Sequence, residues 1–171
     1  MFNHLHIAGV NYDSFVDGCG VRTAIYFSGC AHRCPGCHNP ETQDPYYGKR
    51  ADMSDVITIA DEINKRPYIQ GITLTGGDPF LNPGVWAFVA ILLQRIDRRI
   101  DVWAYTGSSY DDVKDSPLLV LTDVLVDGPY IESLRDPSLA FRGSSNQRII
   151  DVRATQKAGE IILYDVKGKN L

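Results

Sequence analysis

The chain has 171 residues, 44% of them apolar and 22% charged, with a formal net charge of −4 at pH 7. This composition is typical of one folded globular domain and excludes a disordered or fibrous chain. The small acidic excess gives no footprint for nucleic acid or for an anionic membrane surface. No apolar run reaches the length of a membrane span and no signal-peptide pattern is seen, so we expect a cytoplasmic protein.

Four stretches are predicted to be β-strands, because each is rich in β-branched and aromatic residues and is bounded by turn residues. The last of them is almost continuously apolar, as expected of a strand that is covered on both faces. The four stretches are 21–29, 68–75, 100–107 and 119–128.

Two helices are predicted between these strands. Residues 53–64 carry apolar side chains at helical spacing, and Asp52 or Ser54 is a suitable N-terminal cap. The second helix follows a turn-rich loop, with Asn82 as its cap and Pro83 as its first residue. Strands that alternate with helices predict parallel βαβ units and an α/β fold.

The length of the chain limits the architecture that these units can build. A closed eight-unit parallel barrel takes about 250 residues, so we expect an open partial (β/α) barrel. The whole chain, 1–171, is predicted to be a single domain with its core in about 2–150.

The last part of the chain, 151–171, is expected to be a short irregular β extension. Two short strands are predicted at 146–152 and 160–166, joined as a hairpin through Lys157–Gly159. The terminal stretch 167–171 is expected to fray.

Three of the four cysteines lie in the stretch SGCAHRCPGCHNP at 28–40, directly after the first predicted strand. They are Cys30, Cys34 and Cys37. Clustered thiols in a protein that we expect in the cytoplasm are typical of metal ligands rather than of disulfides. Thiolates suit either zinc or an iron–sulfur cluster.

The cysteine spacing leaves both kinds of metal site open. A structural zinc ion takes four ligands, and the fourth would be Cys19, His32 or His38. A 4Fe-4S cluster held by only three cysteines keeps one iron open, and that iron can bind a substrate. One loop can wrap one cluster from one side, so the spacing favours the cluster over zinc.

A second candidate binding loop follows the second predicted strand. Gly76 and Gly77 can bring bare backbone close to a ligand, and Asp78 adds a carboxylate. The set would suit a small zwitterion, and the alternative is an ordinary turn with a helix-capping acid. In a parallel barrel this loop, the cysteine loop and the loops at 106–107 and 127–128 gather at the carboxyl ends of the strands.

The chain resembles the radical S-adenosylmethionine enzymes, which carry a three-cysteine motif after the first barrel strand and a Gly-Gly-acid-Pro motif after the second. Within that superfamily it resembles the activating proteins of anaerobic ribonucleoside-triphosphate reductase. The resemblance extends over about residues 2–150 and implies the partial-barrel fold of that superfamily. The motifs that carry it are, in order, VDGCGVR, SGCAHRCPGCHN, QGITLTGGDP, YTG, VLVDGPY and DPSLAFRGSSNQR.

The resemblance implies that Cys30, Cys34 and Cys37 bind a 4Fe-4S cluster with one open iron and carry the catalysis through it. S-adenosylmethionine would be cleaved reductively there. The 5′-deoxyadenosyl radical would then take a hydrogen from a glycine of the reductase's large catalytic subunit, which leaves a glycyl radical. The family also implies a low-potential electron donor of the flavodoxin or ferredoxin type, and a homodimer or a heterotetramer with the reductase.

The resemblance further implies which residues bind S-adenosylmethionine. Three positions depart from the superfamily's usual pattern: Gly36 stands where an aromatic residue is common, His38 where some relatives have Tyr, and Cys19 where Pro is usual. We interpret Cys19 as a small buried residue. The implied S-adenosylmethionine residues are Gly36, Cys37 and His38 beside the cluster, Gly76, Gly77 and Asp78 at the methionyl amine, and Thr106 and Gly107 in the rest of the pocket.

The polar, turn-rich stretch 127–148 is predicted to contact the partner protein, because it contains aromatic and arginine side chains, which interfaces favour. The alternative is a surface loop whose aromatic side chains pack into the core. Asp127, at the end of a buried strand, would either contact a ribose or pair with an arginine. The aromatic and basic residues are Tyr130, Arg135, Phe141, Arg142 and Arg148.

Two other functions fit parts of the sequence. A radical S-adenosylmethionine enzyme that acts on a small molecule, or on another glycyl-radical enzyme, would share the cysteine and glycine motifs, but 127–148 argues against it. A non-catalytic zinc-binding module would use the cysteines alone.

Overall fold

The computed structural model describes Phe2 and residues 4–166. Within that part of the chain, a seven-stranded sheet forms the centre of the molecule. Its strands are β1 (His6–Ser14), β2 (Arg22–Phe27), β3 (Lys49–Arg50), β4 (Gly71–Gly76), β5 (Asp101–Tyr105), β6 (Val124–Asp127) and β7 (Arg148–Asp151). The spatial order is β3-β1-β2-β4-β5-β6-β7.

The middle of the sheet is parallel and its edges are antiparallel. Strands β2, β4, β5 and β6 pair in parallel, whereas β1 and β3 on one side and β7 on the other run antiparallel to their neighbours. The α/β class predicted from the sequence is therefore confirmed. Because the four parallel strands point the same way, the loops that follow them lie along one edge of the sheet.

Five α-helices connect or flank the strands in the described residues. Asp52 caps the first helix as predicted: its carboxylate accepts the backbone N–H groups of Ser54 and Asp55. None of the described helices has both the length and the apolar character that crossing a membrane requires. The helices are α1 (Met53–Asn64), α2 (Gly84–Arg95), α3 (Tyr110–Val113), α4 (Pro117–Val120) and α5 (Val152–Ala158).

The second predicted helix is present, but it begins one residue later than the sequence suggested. Helix α2 starts at Gly84 rather than at Pro83. The side-chain oxygen of Asn82 still accepts the backbone N–H of Gly84 at 2.9 Å. The apolar face of the helix then packs into the main core through Val85, Phe88, Val89 and Leu92.

The two faces of the sheet pack against different groups of residues, because successive strand residues point to opposite sides. On one face, Val102 and Ala104 join the large core that contains the buried sides of α1 and α2. On the other face, Trp103 packs with Val124, Val126, Ile149 and Tyr164 in a smaller core.

A fully buried arginine lies on the Trp103 face of the sheet. Arg22 donates to the hydroxyl of Thr73 at 2.8 Å and to the carboxylate of Asp101 at 2.5 Å. It also donates to the carbonyl oxygen of Cys19 at 2.9 Å, and its guanidinium lies 5.3 Å from the centre of the Trp103 ring. These contacts satisfy the buried charge and tie β2 to β4 and β5.

Two predictions from the sequence are corrected by the structure. The strand predicted over 119–128 begins only at Val124, because Pro117–Val120 is the helix α4 and the Ser116 side chain caps it. The predicted C-terminal hairpin does not form, since Val152–Ala158 is the helix α5, which ends at Gly159 in the left-handed conformation (φ 75°).

The remaining C-terminal predictions fare differently. The expected strand at 146–152 is present as β7, whereas the one at 160–166 is reduced to a single bridge between Leu163 and Ile150. The stretch 167–171, expected to fray, lies outside the described residues. Strand β1 was not predicted to be a core element, yet it is the longest of the described strands and pairs with β2.

Candidate functional site

A cleft of about 1140 Å³ opens at the carboxyl ends of the parallel strands. The loops after β2, β4, β5 and β6 all contribute to it, as the parallel arrangement predicts. The structure thus brings every predicted site residue to one place. These residues are Cys30, Cys34, Gly36, Cys37, His38, Gly76, Gly77, Asp78, Thr106 and Gly107.

The cysteine loop is held to the segment that follows it by backbone hydrogen bonds. The N–H of Gly29 donates to the carbonyl oxygen of Thr42 at 2.7 Å, and that of Cys30 donates to Gln43 at 3.3 Å. Gly29 (φ 103°) and Gly36 (φ 72°) adopt the left-handed region, which turns the loop back over the end of β2. The three thiols are left half-buried at the wall of the cleft.

The environment of Cys30 disfavours a free thiolate. Burial raises the pKa of the Cys30 thiol, and the nearby carboxylate of Asp78 and the thiol of Cys34 raise it further. Backbone N–H groups of His32 and Arg33 act in the opposite direction and lower this pKa. A bound metal centre is cationic and would therefore stabilise the deprotonated form of the Cys30 thiol.

The donor set fits an iron–sulfur cluster better than a single zinc ion. Among the described residues, no three His, Cys, Asp or Glu side chains converge closely enough to hold one metal ion. Cys30, Cys34 and Cys37 instead border the cleft from one loop, and thiolates are the usual ligands of a cluster.

The three candidate fourth ligands for zinc are placed differently from one another. Cys19 packs beside Trp103 in the smaller core. His32 binds Asp78, and His38 is exposed at the edge of the cleft.

The Gly76–Gly77 pair is packed against the cysteine loop. A Cβ atom on Gly76 (φ 94°) would lie 2.5 Å from the carbonyl oxygen of Phe27, and one on Gly77 would lie 2.6 Å from that of Gly29. The Gly77 N–H donates to Phe27 at 2.7 Å. Among the hydrogen bonds of the described residues, none uses the carbonyl oxygen of Gly77. The bare backbone therefore permits close packing, and Gly77, which lines the cleft, keeps a carbonyl oxygen that no described residue bonds.

Asp78 is almost fully buried, with 2% of its surface exposed, and its carboxylate is saturated by the protein. One oxygen, Oδ2, accepts the Thr106 hydroxyl at 2.8 Å, the Gly107 N–H at 3.1 Å and Nε2 of His32 at 2.7 Å. The other oxygen accepts the N–H of Phe80 at 2.9 Å. Asp78 thus connects the loops after β2, β4 and β5. No pattern in the sequence indicated the hydrogen bond between Asp78 and His32.

Asp127 adopts one of the two roles predicted for it. Its carboxylate accepts Nε of Arg148 at 3.0 Å and Nη2 of the same side chain at 2.5 Å, and it also accepts the N–H of Tyr110 at 2.8 Å. The carboxylate is 2% exposed. The pairing with an arginine is therefore the observed one, and it fixes the end of β6 to β7.

Both aromatic residues of 127–148 line the cleft, and Phe141 also packs against the smaller core. Phe141 packs edge-on against Trp103, with 5.5 Å between the ring centres, as the core alternative predicts. Tyr130 lines the cleft and donates its hydroxyl to Glu132 at 2.5 Å. A Cβ atom on Gly36 would meet this Glu132 carboxylate at 1.9 Å. The segment 127–148 is therefore in contact with the cysteine loop.

A second edge of the cleft is apolar and was not singled out from the sequence. Phe15 and Val16 follow β1 and expose 68% and 75% of their surface. Val16 and Asp17 line the cleft on the side where β1 turns into β2. Two adjacent hydrophobic residues that are exposed beside a cleft indicate an interaction surface. The sequence alone does not show this, because it does not tell which residues are exposed.

Comparison with known proteins agrees with this geometry. Residues 16–150 match the model of the family described as "4Fe-4S single cluster domain", which makes the chain an iron–sulfur cluster protein. The chain is 38% identical over 148 residues to the anaerobic ribonucleoside-triphosphate reductase-activating protein of Enterobacteria phage T4, an alignment that covers 82% of this chain and 93% of that protein.

Bacterial relatives with the same name are equally similar. The Salmonella typhimurium protein is 41% identical over 145 residues and the Escherichia coli protein 39% over 144 residues, each covering 81% of this chain and 93% of the relative. The chain belongs to the family of anaerobic ribonucleoside-triphosphate reductase-activating proteins. The resemblance seen in its motifs is thereby confirmed.

Proposed function

We propose that this protein activates an anaerobic ribonucleoside-triphosphate reductase by cleaving S-adenosylmethionine reductively and generating a glycyl radical on the reductase. The names of the relatives and the iron–sulfur family support activation of that reductase. The observation that carries the proposal is that one open cleft is lined both by the three thiols and by Gly76 and Gly77. In this proposal the sheet is the partial barrel of the radical S-adenosylmethionine enzymes.

Cys30, Cys34 and Cys37 would hold the 4Fe-4S cluster at the wall of the cleft. When bound, the cluster supplies one electron at low potential and an open iron for the amine and carboxylate of S-adenosylmethionine. The electron would come from a flavodoxin or ferredoxin type of donor.

The residues opposite the thiols would bind the rest of S-adenosylmethionine. The carbonyl oxygen of Gly77 is an acceptor at the cleft and suits the methionyl ammonium group. The buried carboxylate of the next residue, Asp78, would add negative charge, and the bare Cα of Gly76 lets this loop pack closely against Phe27 at the end of β2. Gly36 and His38 on the cysteine side, and Thr106 after β5, would line the remaining surface of the ligand.

The reaction conserves atoms and electrons in two steps. One electron added to the sulfonium breaks its bond to the 5′ carbon and releases methionine and a 5′-deoxyadenosyl radical. That radical takes the α-hydrogen of a reductase glycine, which gives 5′-deoxyadenosine and the glycyl radical. This chain contributes binding, orientation and exclusion of water.

The openness of the cleft supports a protein as substrate. A radical that can attack many C–H bonds must be kept from water, and the described residues do not close the cleft on their own. Exposed side chains stand at two of its edges: Val16 after β1, next to the exposed Phe15, and Arg135 within 127–148. The reductase subunit would dock on these edges and complete the enclosure.

The test is activation of the reductase in the absence of oxygen. Reduced, cluster-loaded protein mixed with S-adenosylmethionine and the large reductase subunit is expected to give a glycyl radical doublet in the EPR spectrum, together with methionine and 5′-deoxyadenosine. The Cys37→Ala variant should give none of the three. Release of both small products from the wild type without a doublet would contradict the reductase as substrate and would favour a small-molecule substrate.

A further inference from the structure

His32 lies between two of the three thiols and has no role in the function proposed above. It follows Cys30 by two residues and precedes Cys34 by two. Its Nε2 atom is 2.7 Å from Oδ2 of Asp78, and its side chain is 24% exposed. Since a carboxylate oxygen can only accept, Nε2 donates this hydrogen bond.

Gly107, in the loop that follows β5, and Asp78 form a socket for the His32 ring. A Cβ atom on Gly107 would lie 2.6, 2.8 and 2.9 Å from Cδ2, Cγ and Nε2 of His32. The imidazole ring therefore rests against the bare backbone of Gly107. The same Asp78 oxygen is fixed from β5 by the Thr106 hydroxyl and the Gly107 N–H. The socket is complete before any ligand is bound.

Among the described residues, one side-chain hydrogen bond attaches this part of the loop to the rest of the protein. Among the described residues, His32 is the only one between positions 31 and 38 whose side chain hydrogen-bonds outside that stretch. The neighbouring Arg33 is exposed, and no described residue hydrogen-bonds or ion-pairs with its guanidinium. The His32 imidazole thus supplies the side-chain hydrogen bond that joins the loop between Cys30 and Cys34 to Asp78.

We propose that His32 is a positioning residue, which seats the cysteine loop in the socket of Gly107 and Asp78 and so orients Cys30 and Cys34 for the cluster. The inference concerns the same site as the proposed function and rests on it for the identity of the cluster. If the ligands are ordered in advance, the loop loses less conformational entropy when the cluster binds.

The first test uses the metal-free protein and measures how fast iodoacetamide alkylates the three thiols, peptide by peptide. His32→Ala is expected to speed alkylation of Cys30 and Cys34 about tenfold, the size expected when a hydrogen bond to a carboxylate is lost. His32→Gln, whose Nε2 can also donate to Asp78, should restore most of the protection. Arg33→Ala is the matched control and should leave the rates unchanged.

A steric test distinguishes positioning from a general loss of stability. Gly107→Ala alone should displace the imidazole and speed alkylation as His32→Ala does. Added to His32→Ala, it should change little, because its new methyl group no longer meets a ring. Additive effects of the two substitutions, or unchanged thiol rates in His32→Ala, would overturn the inference.

A spectroscopic measurement extends the test to the loaded protein. His32→Ala should take up fewer irons per chain on reconstitution and show a broadened EPR signal of the reduced cluster, and His32→Gln should recover both. Failure of this inference is distinguishable from failure of the proposed function. If the wild type forms the glycyl radical but His32→Ala leaves the alkylation rates of the thiols unchanged, only the inference fails. If the wild type never forms the radical but His32→Ala speeds alkylation of the thiols as expected, only the proposed function fails.

Discussion

The backbone of Gly77 lies in contact with the carbonyl oxygen of Gly29, which connects the glycine loop to the cysteine loop. A Cβ atom on Gly77 would stand 2.6 Å from that oxygen, and the next N–H, of Asp78, donates to it at 3.0 Å. The Gly-Gly motif therefore serves the placement of the cysteines, in addition to the ligand binding proposed for it. The two motifs form one structural unit.

Gly77→Ala is expected to destabilise the protein by about 1–3 kcal/mol, because the atoms that its methyl group meets are backbone and cannot turn away. The measurement is urea unfolding of the metal-free protein. Gly9→Ala is the matched control, since a Cβ there meets no atom within 4 Å, and it should shift stability by less than about 0.5 kcal/mol. Equal effects of the two substitutions would show that the contact between the loops is absent.

Arg22→Met is expected to lower the free energy of unfolding by at least about 2 kcal/mol, because it leaves buried acceptors without a donor. Those acceptors include the Thr73 hydroxyl and the carbonyl oxygen of Ile72. Arg99→Met is the control: that side chain is 72% exposed and lies 3.6 Å from Asp123, so its loss should cost less than about 1 kcal/mol. A comparable cost for both would contradict the role given to Arg22.

Phe15→Ser and Val16→Ser are expected to weaken binding to the reductase subunit about tenfold each, since apolar contacts at an interface edge are lost. The stability of the free protein should not change, because both side chains are exposed. Val120→Ser is the matched control for Val16→Ser, because Val120 is 78% exposed but, unlike Val16, does not line the cleft. Titration calorimetry measures this binding. If neither test substitution changes the affinity, the reductase subunit does not dock on this edge of the cleft.

Cys19→Ser is expected to keep the full iron content, because Cys19 packs beside Trp103 and does not line the cleft. Substitution of Cys30, Cys34 or Cys37 by Ala should remove the cluster and its absorbance but leave a folded chain. Iron and labile sulfide analysis of anaerobically purified proteins measures this. A protein that carries one zinc per chain, and unfolds when a cysteine is replaced, would instead support the zinc-binding module.

Much of this arrangement could be predicted because it depends on local signals. The cap at Asp52 and the order of strands and helices follow from short-range patterns, and parallel strands then bring the loops that follow them to one edge. The apolar run at 119–128 was ambiguous, because its first residues suit a helix after Ser116 as well as a strand.

Other features could not be predicted, because they join residues that are far apart in the chain. His32 and Asp78 are separated by 46 residues, and Arg22 and Asp101 by 79. Each pair is brought together by the packing of the strands, whereas sequence patterns give information only about residues that are close in the chain. The exposure of Phe15 and Val16 is likewise a result of packing, since the same residues would suit a buried strand.

The open iron of a three-cysteine cluster is the central claim, and EPR of the reduced, anaerobically prepared protein tests it most directly. We expect about four irons per chain and a 4Fe-4S signal whose shape changes when S-adenosylmethionine is added, without any reductase present. A protein without a cluster, or a cluster signal that S-adenosylmethionine leaves unchanged, would contradict the account.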